Sequence, residues 1–162
     1  MAASLSNTFT LTPSSDTEIL ITRMFNAPRD LVFKAMSSCE HLPKWLGPSR
    51  LKMTHCEMEF KIGGGYRYVL SDSEGGDYGF RGEYREIDPP NGMTQTFEFE
   101  GMPGHIAVEK MTLEDLGGQT KMSIHCHYES VYDRDGIIQS GMEAGARESY
   151  DRLESYLETG SI

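Results

Sequence analysis

The sequence predicts an α+β domain: a curved antiparallel sheet wrapped around a long C-terminal helix, with two short helices after the first strand. Three observations carry this. From Arg50 to about His127 the apolar residues recur with a period of two, and clusters of Gly, Pro, Asn and Asp interrupt them. From Asp135 to Glu158 the step changes mostly to three or four, at Ile138, Met142, Tyr150, Leu153, Tyr156 and Leu157. Ahead of both, Leu31, Val32, Ala35 and Met36 form a short helical stripe. A run of hairpins builds an antiparallel sheet with one buried face, and a single long apolar helix is the natural cover for that face.

The elements follow in order. Residues 1–15 are polar and rich in Ser and Thr, and form a loose extension or, through TFTLT, a short edge strand. The domain proper spans 16–160. TEILITRMF is the first strand, and Asn26-Ala27-Pro28 leads into a helix with Pro28 in its first turn. A second short helix or turn covers Cys39 to Leu46, and Gly47-Pro48 breaks it. Six strands follow. Leu51 and Met53 mark the first. Tyr66, Tyr68 and Leu70 share a face of the second, and Phe80, Gly82 and Tyr84 a face of the third. Phe97 and Phe99 share a face of the fourth. HIAVEKMTLEDL and TKMSIHCHYES form a hairpin about Gly117-Gly118. Met122, Ile124, Cys126 and Tyr128 point to the core, and Ser123, His125 and His127 point away. Arg67 and Glu109 on these strands are expected to be outward charges. If either pointed inward, it would need a partner and would mark a specific polar ligand. The last helix has Asp135 as N-cap and Gly160 as stop, and would be about 35 Å long.

The first half of that helix gathers Gly141, Ala144, Gly145, Ala146 and Ser149. Each interior glycine costs about 1 kcal/mol relative to alanine, so a reason is needed. Either a ligand lies against the small residues, or another element packs close there. The composition of the helix favours close packing, whereas the aromatic set on the inner face of the sheet favours a pocket. The pocket would have Met142, Ala146 and Tyr150 on the helix side, at steps of four. Tyr66, Tyr68, Phe80, Tyr84, Phe97 and Phe99 would form the opposite wall. Trp45, the single tryptophan, would stand near one end or serve as a core anchor. His105, beside a Pro-Gly turn, is within reach of the rim.

Bulk properties narrow the function. The chain has 162 residues, a formal charge of −10 and a pI near 4.9. Such a field repels nucleic-acid backbones and anionic membrane surfaces, and no basic run offsets it. No apolar run reaches the ~20 residues of a membrane span, and the N-terminus lacks the charge and apolar run of a signal peptide. Cys39, Cys56 and Cys126 are odd in number and widely spaced, which fits reduced thiols in a cytoplasm. No HExxH, GxSxG or P-loop pattern is present, nor a GxGxxG between a strand and a helix. His125 and His127 make an incomplete ligand set. Neither metal nor cofactor is expected.

Several blocks resemble one family. ITRMFNAPRDLVFKAM resembles the opening signature of activator of heat-shock protein 90 ATPase homologue-like domains, of the START-like, birch-pollen-allergen-like superfamily. HLPKWLGP is similar to its Trp-Gly-Pro motif. GGGYRYVL, GEYREIDPP and GMEAGARESYDRLESYLE match later blocks in the same order, so the resemblance covers about residues 17–158. It implies the helix-grip fold: a bent antiparallel sheet gripping the C-terminal helix around a mostly apolar cavity. Two departures stand out. Many relatives have two adjacent tryptophans before Gly-Pro, whereas Lys44 and Leu46 flank Trp45 here. Many carry a tryptophan where Ala146 stands. The family includes carriers, sensors, stress proteins, cyclases and co-chaperones, so fold alone does not assign a task. The expected role is non-enzymatic binding, carriage or sensing of a small hydrophobic or amphipathic molecule. A cyclase- or dehydratase-type enzyme and a co-chaperone-like interaction module are the alternatives, and a protein partner or homodimer stays open.

Overall fold

The computed structural model describes residues 4–159. Eight strands form one antiparallel sheet: β1 (Thr10–Ser15), β2 (Glu18–Phe25), β3 (Lys52–Met58), β4 (Gly65–Ser71), β5 (Asp77–Asp88), β6 (Gly92–Phe99), β7 (Ile106–Asp115) and β8 (Thr120–His127). The spatial order is β1-β2-β8-β7-β6-β5-β4-β3. Strands β3 to β8 are the meander read from the period of two. The first long strand, β2, closes against the last, pairing Glu18 with His127 and Phe25 with Thr120. Helix α1 (Arg29–Met36) and a 3-10 turn at Leu42–Lys44 carry the chain from β2 to β3. Helices α2 (Val131–Gln139) and α3 (Met142–Thr159) cover the sheet. This is the helix-grip architecture.

Three expectations need correction. The C-terminal segment is two helices, because Gly141 adopts φ +85° and interrupts the helix. That region of backbone space is left-handed and favours glycine. The Ile138-to-Met142 step of four runs across the break, so periodicity alone reads straight through it. Ser130 caps α2, its Oγ accepting from the Asp133 N–H at 3.0 Å, and Asp135 lies inside the helix. The expected stop at Gly160 lies outside the described residues. Second, the short helix or turn expected over Cys39 to Leu46 resolves to a single 3-10 turn at Leu42–Lys44. Third, Cys39 and Cys56 form a disulfide, with Cα atoms 5.8 Å apart, while Cys126 is free and buried. No sequence motif links the pair; packing of β3 beside the turn brings the two together. A cytoplasmic location inferred from three free thiols loses that support. Among the described residues, no helix is long and apolar enough to cross a membrane.

Two apolar clusters fill the space between sheet and helices. The larger joins Phe25, Val32, Phe33, Trp45, Tyr84, Met122 and Leu153. The other joins Phe9, Ile19, Ile21, Cys126 and Tyr128, with Ala146 packed against it. Arg23 is fully buried between them on β2, with Nη2 3.1 Å from Asp151 Oδ1 and 3.4 Å from Glu154 Oε1 on α3. The pairing fixes α3 against the sheet, because a buried guanidinium without carboxylate partners is strongly unfavourable.

Candidate functional site

The pairing register determines what the concave face presents. Tyr84 on β5 pairs with Gln95, Gln95 with Glu109, Glu109 with Cys126, and Cys126 with Ile19. One row crossing five strands therefore places an amide and a carboxylate among apolar neighbours. Glu109 faces inward, contrary to the expected outward charge. On β7 its side shares Ala107, Met111 and Leu113, all buried. Arg67 does face outward, paired with Glu100 at 2.7 and 2.9 Å.

Glu109 lines an inner cavity of about 190 Å³. Tyr66, Tyr68 and Tyr84 form its wall on the sheet, and Tyr150 of α3 and Trp45 form the wall opposite. The Tyr66 and Tyr68 rings stack at 6.2 Å, Tyr66 and Tyr84 lie 5.4 Å apart, and Trp45 and Tyr150 lie 6.2 Å apart. Gly82 makes room for the first of these rings: a Cβ there would strike Tyr66 at 2.6 Å, and the Thr96 carbonyl as well. Tyr66 donates its hydroxyl to the Thr96 carbonyl at 2.6 Å. Trp45 donates Nε1–H to the Ala35 carbonyl at 2.9 Å and is 3% exposed, so it is both core anchor and cavity wall. Met36, Met58, Met93 and Met111 complete much of the lining, and their pliable side chains suit an adaptable site.

Gln95 Nε2 donates to Glu109 Oε1 at 3.1 Å and to the Tyr66 hydroxyl at 3.4 Å. Among the described residues this is the only hydrogen bond to the Glu109 carboxylate, and no Lys, Arg or His lines the cavity. Burial raises the Glu109 pKa to about 6, with the Gln95 amide opposing the shift. Burial likewise raises the hydroxyls of Tyr68, Tyr84 and Tyr150 well above the usual tyrosine range. These three tyrosines remain neutral donors and acceptors at physiological pH.

A second, outer cavity of about 470 Å³ lies under α2 and the start of α3. Phe80, Phe97, Phe99, Ile137 and Met142 line it, and Met102, Ile106 and Tyr132 reach its mouth. His105 is at the rim, its Nδ1 2.8 Å from Asp133 Oδ1. The two cavities adjoin where Tyr68 of the inner stacks on Phe80 of the outer at 5.2 Å.

The expected single pocket is thus divided. Trp45, Tyr66, Tyr68, Tyr84 and Tyr150 line the inner cavity; Phe80, Phe97, Phe99 and Met142 line the outer one. Ala146 lines neither: it lies on α3 one turn beyond Met142 and packs, together with Met142 and Tyr150, on the Phe9 cluster. Glu109 and Gln95 join the site although neither is among the residues expected there. The signal was present in the alternation of Ala107, Met111 and Leu113 with Glu109, but Ile106 and Val108 offer a rival apolar parity on the same strand.

A family model described as "Activator of Hsp90 ATPase homolog 1-like protein" matches residues 26–158. A crystal structure of a Rhodobacter sphaeroides protein is 26% identical, with a TM-score of 0.87, over 93% of this chain and 97% of that one. A solution structure from Arthrobacter aurescens is 22% identical, with a TM-score of 0.84, over 94% and 92% of the two chains. A protein of the dynemicin biosynthetic locus is 22% identical, with a TM-score of 0.71, over 90% of this chain and 49% of its own. The last two likenesses concern the fold alone. No curated protein matches the chain.

Proposed function

The chain belongs to the activator of Hsp90 ATPase homologue 1-like family, and on that premise we propose that it binds a small, largely apolar molecule between sheet and helices without transforming it. The observation that carries this reading is the outer cavity of about 470 Å³, walled by Phe80, Phe97 and Phe99. Ligand pockets commonly measure about 300–1,000 Å³ and are mostly apolar with a few placed polar groups. The cavity opens to solvent at Met102, Ile106 and Tyr132, which gives a ligand a way in. The apolar body of the ligand contacts Phe80, Phe97, Phe99 and Met142. The inner set of Trp45, Tyr66, Tyr68, Tyr84 and Tyr150 receives its other end.

Gly136→Leu tests the proposal. Gly136 lines the outer cavity from α2, and a Cβ there meets nothing within 4 Å. Replacing a helical glycine raises helix propensity by up to ~1 kcal/mol, so the variant should be at least as stable as the parent. Fluorescence titration with N-phenyl-1-naphthylamine should show saturable binding to the parent and binding at least about tenfold weaker to the variant. No binding to the parent, or equal binding to both, refutes the reading.

Glu109 favours a second reading, an acid–base enzyme. A buried carboxyl titrating near 6 is suited to proton transfer at neutral pH. In deuterium oxide, a small ketone placed in the inner cavity would then exchange its α-protons faster than background. Glu109→Gln would abolish the excess. Exchange at the background rate in the parent refutes this second reading.

A further inference from the structure

We propose that the inner cavity is a recognition site for an organic ammonium ion, held by the Glu109 carboxylate inside a box of Trp45, Tyr66, Tyr68, Tyr84 and Tyr150. This inference rests on the binding reading above and names the polar end of the ligand. Three observations support it. First, among the described residues Glu109 is the single charged group in the lining, and its only hydrogen bond, from Gln95, is made through one of its two oxygens. A carboxylate turned into an apolar cavity without a counter-ion is costly, and an incoming cation offsets that cost. Second, the remaining walls are aromatic on both sides. The Tyr66–Tyr68–Tyr84 surface faces the Trp45–Tyr150 pair across the cavity. Aromatic faces attract desolvated cations, most of all those too bulky to keep a tight water shell. Third, the Tyr68, Tyr84 and Tyr150 hydroxyls have no side-chain hydrogen-bond partner among the described residues, leaving them for a ligand's polar group.

Size and field agree with the assignment. At about 190 Å³ the cavity exceeds the roughly 150 Å³ of an engineered void that takes benzene, so it has room for a small alkylammonium head. The protein's formal charge of −10 favours cations over anions at the approach. The groups facing Glu109 are Tyr66 and Tyr68 from β4, Tyr84 from β5, Gln95 from β6, Cys126 from β8 and Tyr150 from α3. All are neutral at physiological pH, so none substitutes for an external cation. Any carboxylate added to the ligand near this end would meet Glu109 at close range and be rejected.

The test compares two pairs of soluble probes matched in shape but differing in charge: choline with 3,3-dimethylbutan-1-ol, and butylammonium with 1-butanol. Calorimetric titration at pH 8 should show at least one cation binding about tenfold or more tightly than its neutral partner. That preference should disappear in Glu109→Gln and shrink for the parent as pH falls from 8 to 5, because the carboxyl becomes protonated. Tyr68→Leu should weaken choline several-fold while leaving Glu109 in place. Equal affinity for both members of each pair, or a preference that survives in Glu109→Gln, overturns the inference. If Glu109→Gln does not fold, the pH profile of the parent decides alone: a preference unchanged between pH 8 and 5 overturns it. The naphthylamine titration is run in parallel. Naphthylamine binding without cation preference removes only this inference; loss of both removes the ligand-binding reading too.

Discussion

Glu109 is the residue at which stability and function pull apart. Its pKa in the folded protein is about 6, above an ordinary 4.5, so the fold favours the protonated form. The associated stability is fully present below about pH 4.5 and is lost as pH rises through about 6. At 1.36 kcal/mol per pH unit the loss amounts to about 2 kcal/mol. Glu109→Gln keeps the shape and a partner for Gln95 but cannot ionise. Urea unfolding should therefore find it about 2 kcal/mol more stable than the parent at pH 8 and about equal at pH 4. A variant that is less stable at pH 8 would mean that the carboxylate is satisfied within the protein. The residue was also the hardest to place from sequence. A charged side chain is ordinarily assigned to solvent, and the strand around it alternates apolar residues in both parities. Its inward orientation is decided by pairing with Gln95 and Cys126, which lie 14 and 17 residues away.

The C-terminal cover contrasts what pattern can and cannot reveal. Its amphipathic period was legible, because Leu153, Tyr156 and Leu157 occupy one face of α3 whatever precedes them. The break was not, since Gly141 reads equally as a small residue opposite a ligand or as a left-handed joint. Its role changes the geometry of the site: α2 turns over the outer cavity instead of continuing the α3 axis. Gly141→Ala tests the joint. A Cβ at that position meets nothing within 4 Å, so any loss comes from forcing alanine into φ +85°. The expected cost is about 1–2 kcal/mol in unfolding experiments, with a change in naphthylamine affinity as the end of α2 shifts. Unaltered stability would show that the segment can straighten into one helix at no cost.

Across the whole molecule, the order of six meander strands and a helical cover followed from turn chemistry and two periodicities. Contacts joining distant segments did not. The Cys39–Cys56 disulfide is the clearest case: two cysteines in unrelated local patterns meet only when β3 packs beside the 3-10 turn. It ties the helical crossover, including the Trp45 wall, to the outer edge of the sheet. A closed loop of that size is worth about 3 kcal/mol through restriction of the unfolded chain. Reductant should lower the unfolding free energy by about that amount. Cys39→Ser should show the same loss and no further response to reductant. A parent indifferent to reductant would show that the bridge contributes nothing.

The union of β2 with β8 has a consequence for how the chain is made. Glu18 must wait for His127, and Ile19 for Cys126, more than a hundred residues later in synthesis. Until β8 emerges, β2 has only β1 beside it, and its apolar side, with Ile19, Ile21 and Phe25, lacks its sheet neighbour. The meander from β3 onward can zip by local hairpins during that interval, whereas the central seam must wait for β8, and Arg23 for its α3 partners Asp151 and Glu154 later still. Such long-range closure slows folding and leaves a sticky strand on the ribosome for the time taken to translate most of the protein. The nascent chain, more than the finished domain, is the form most exposed to aggregation.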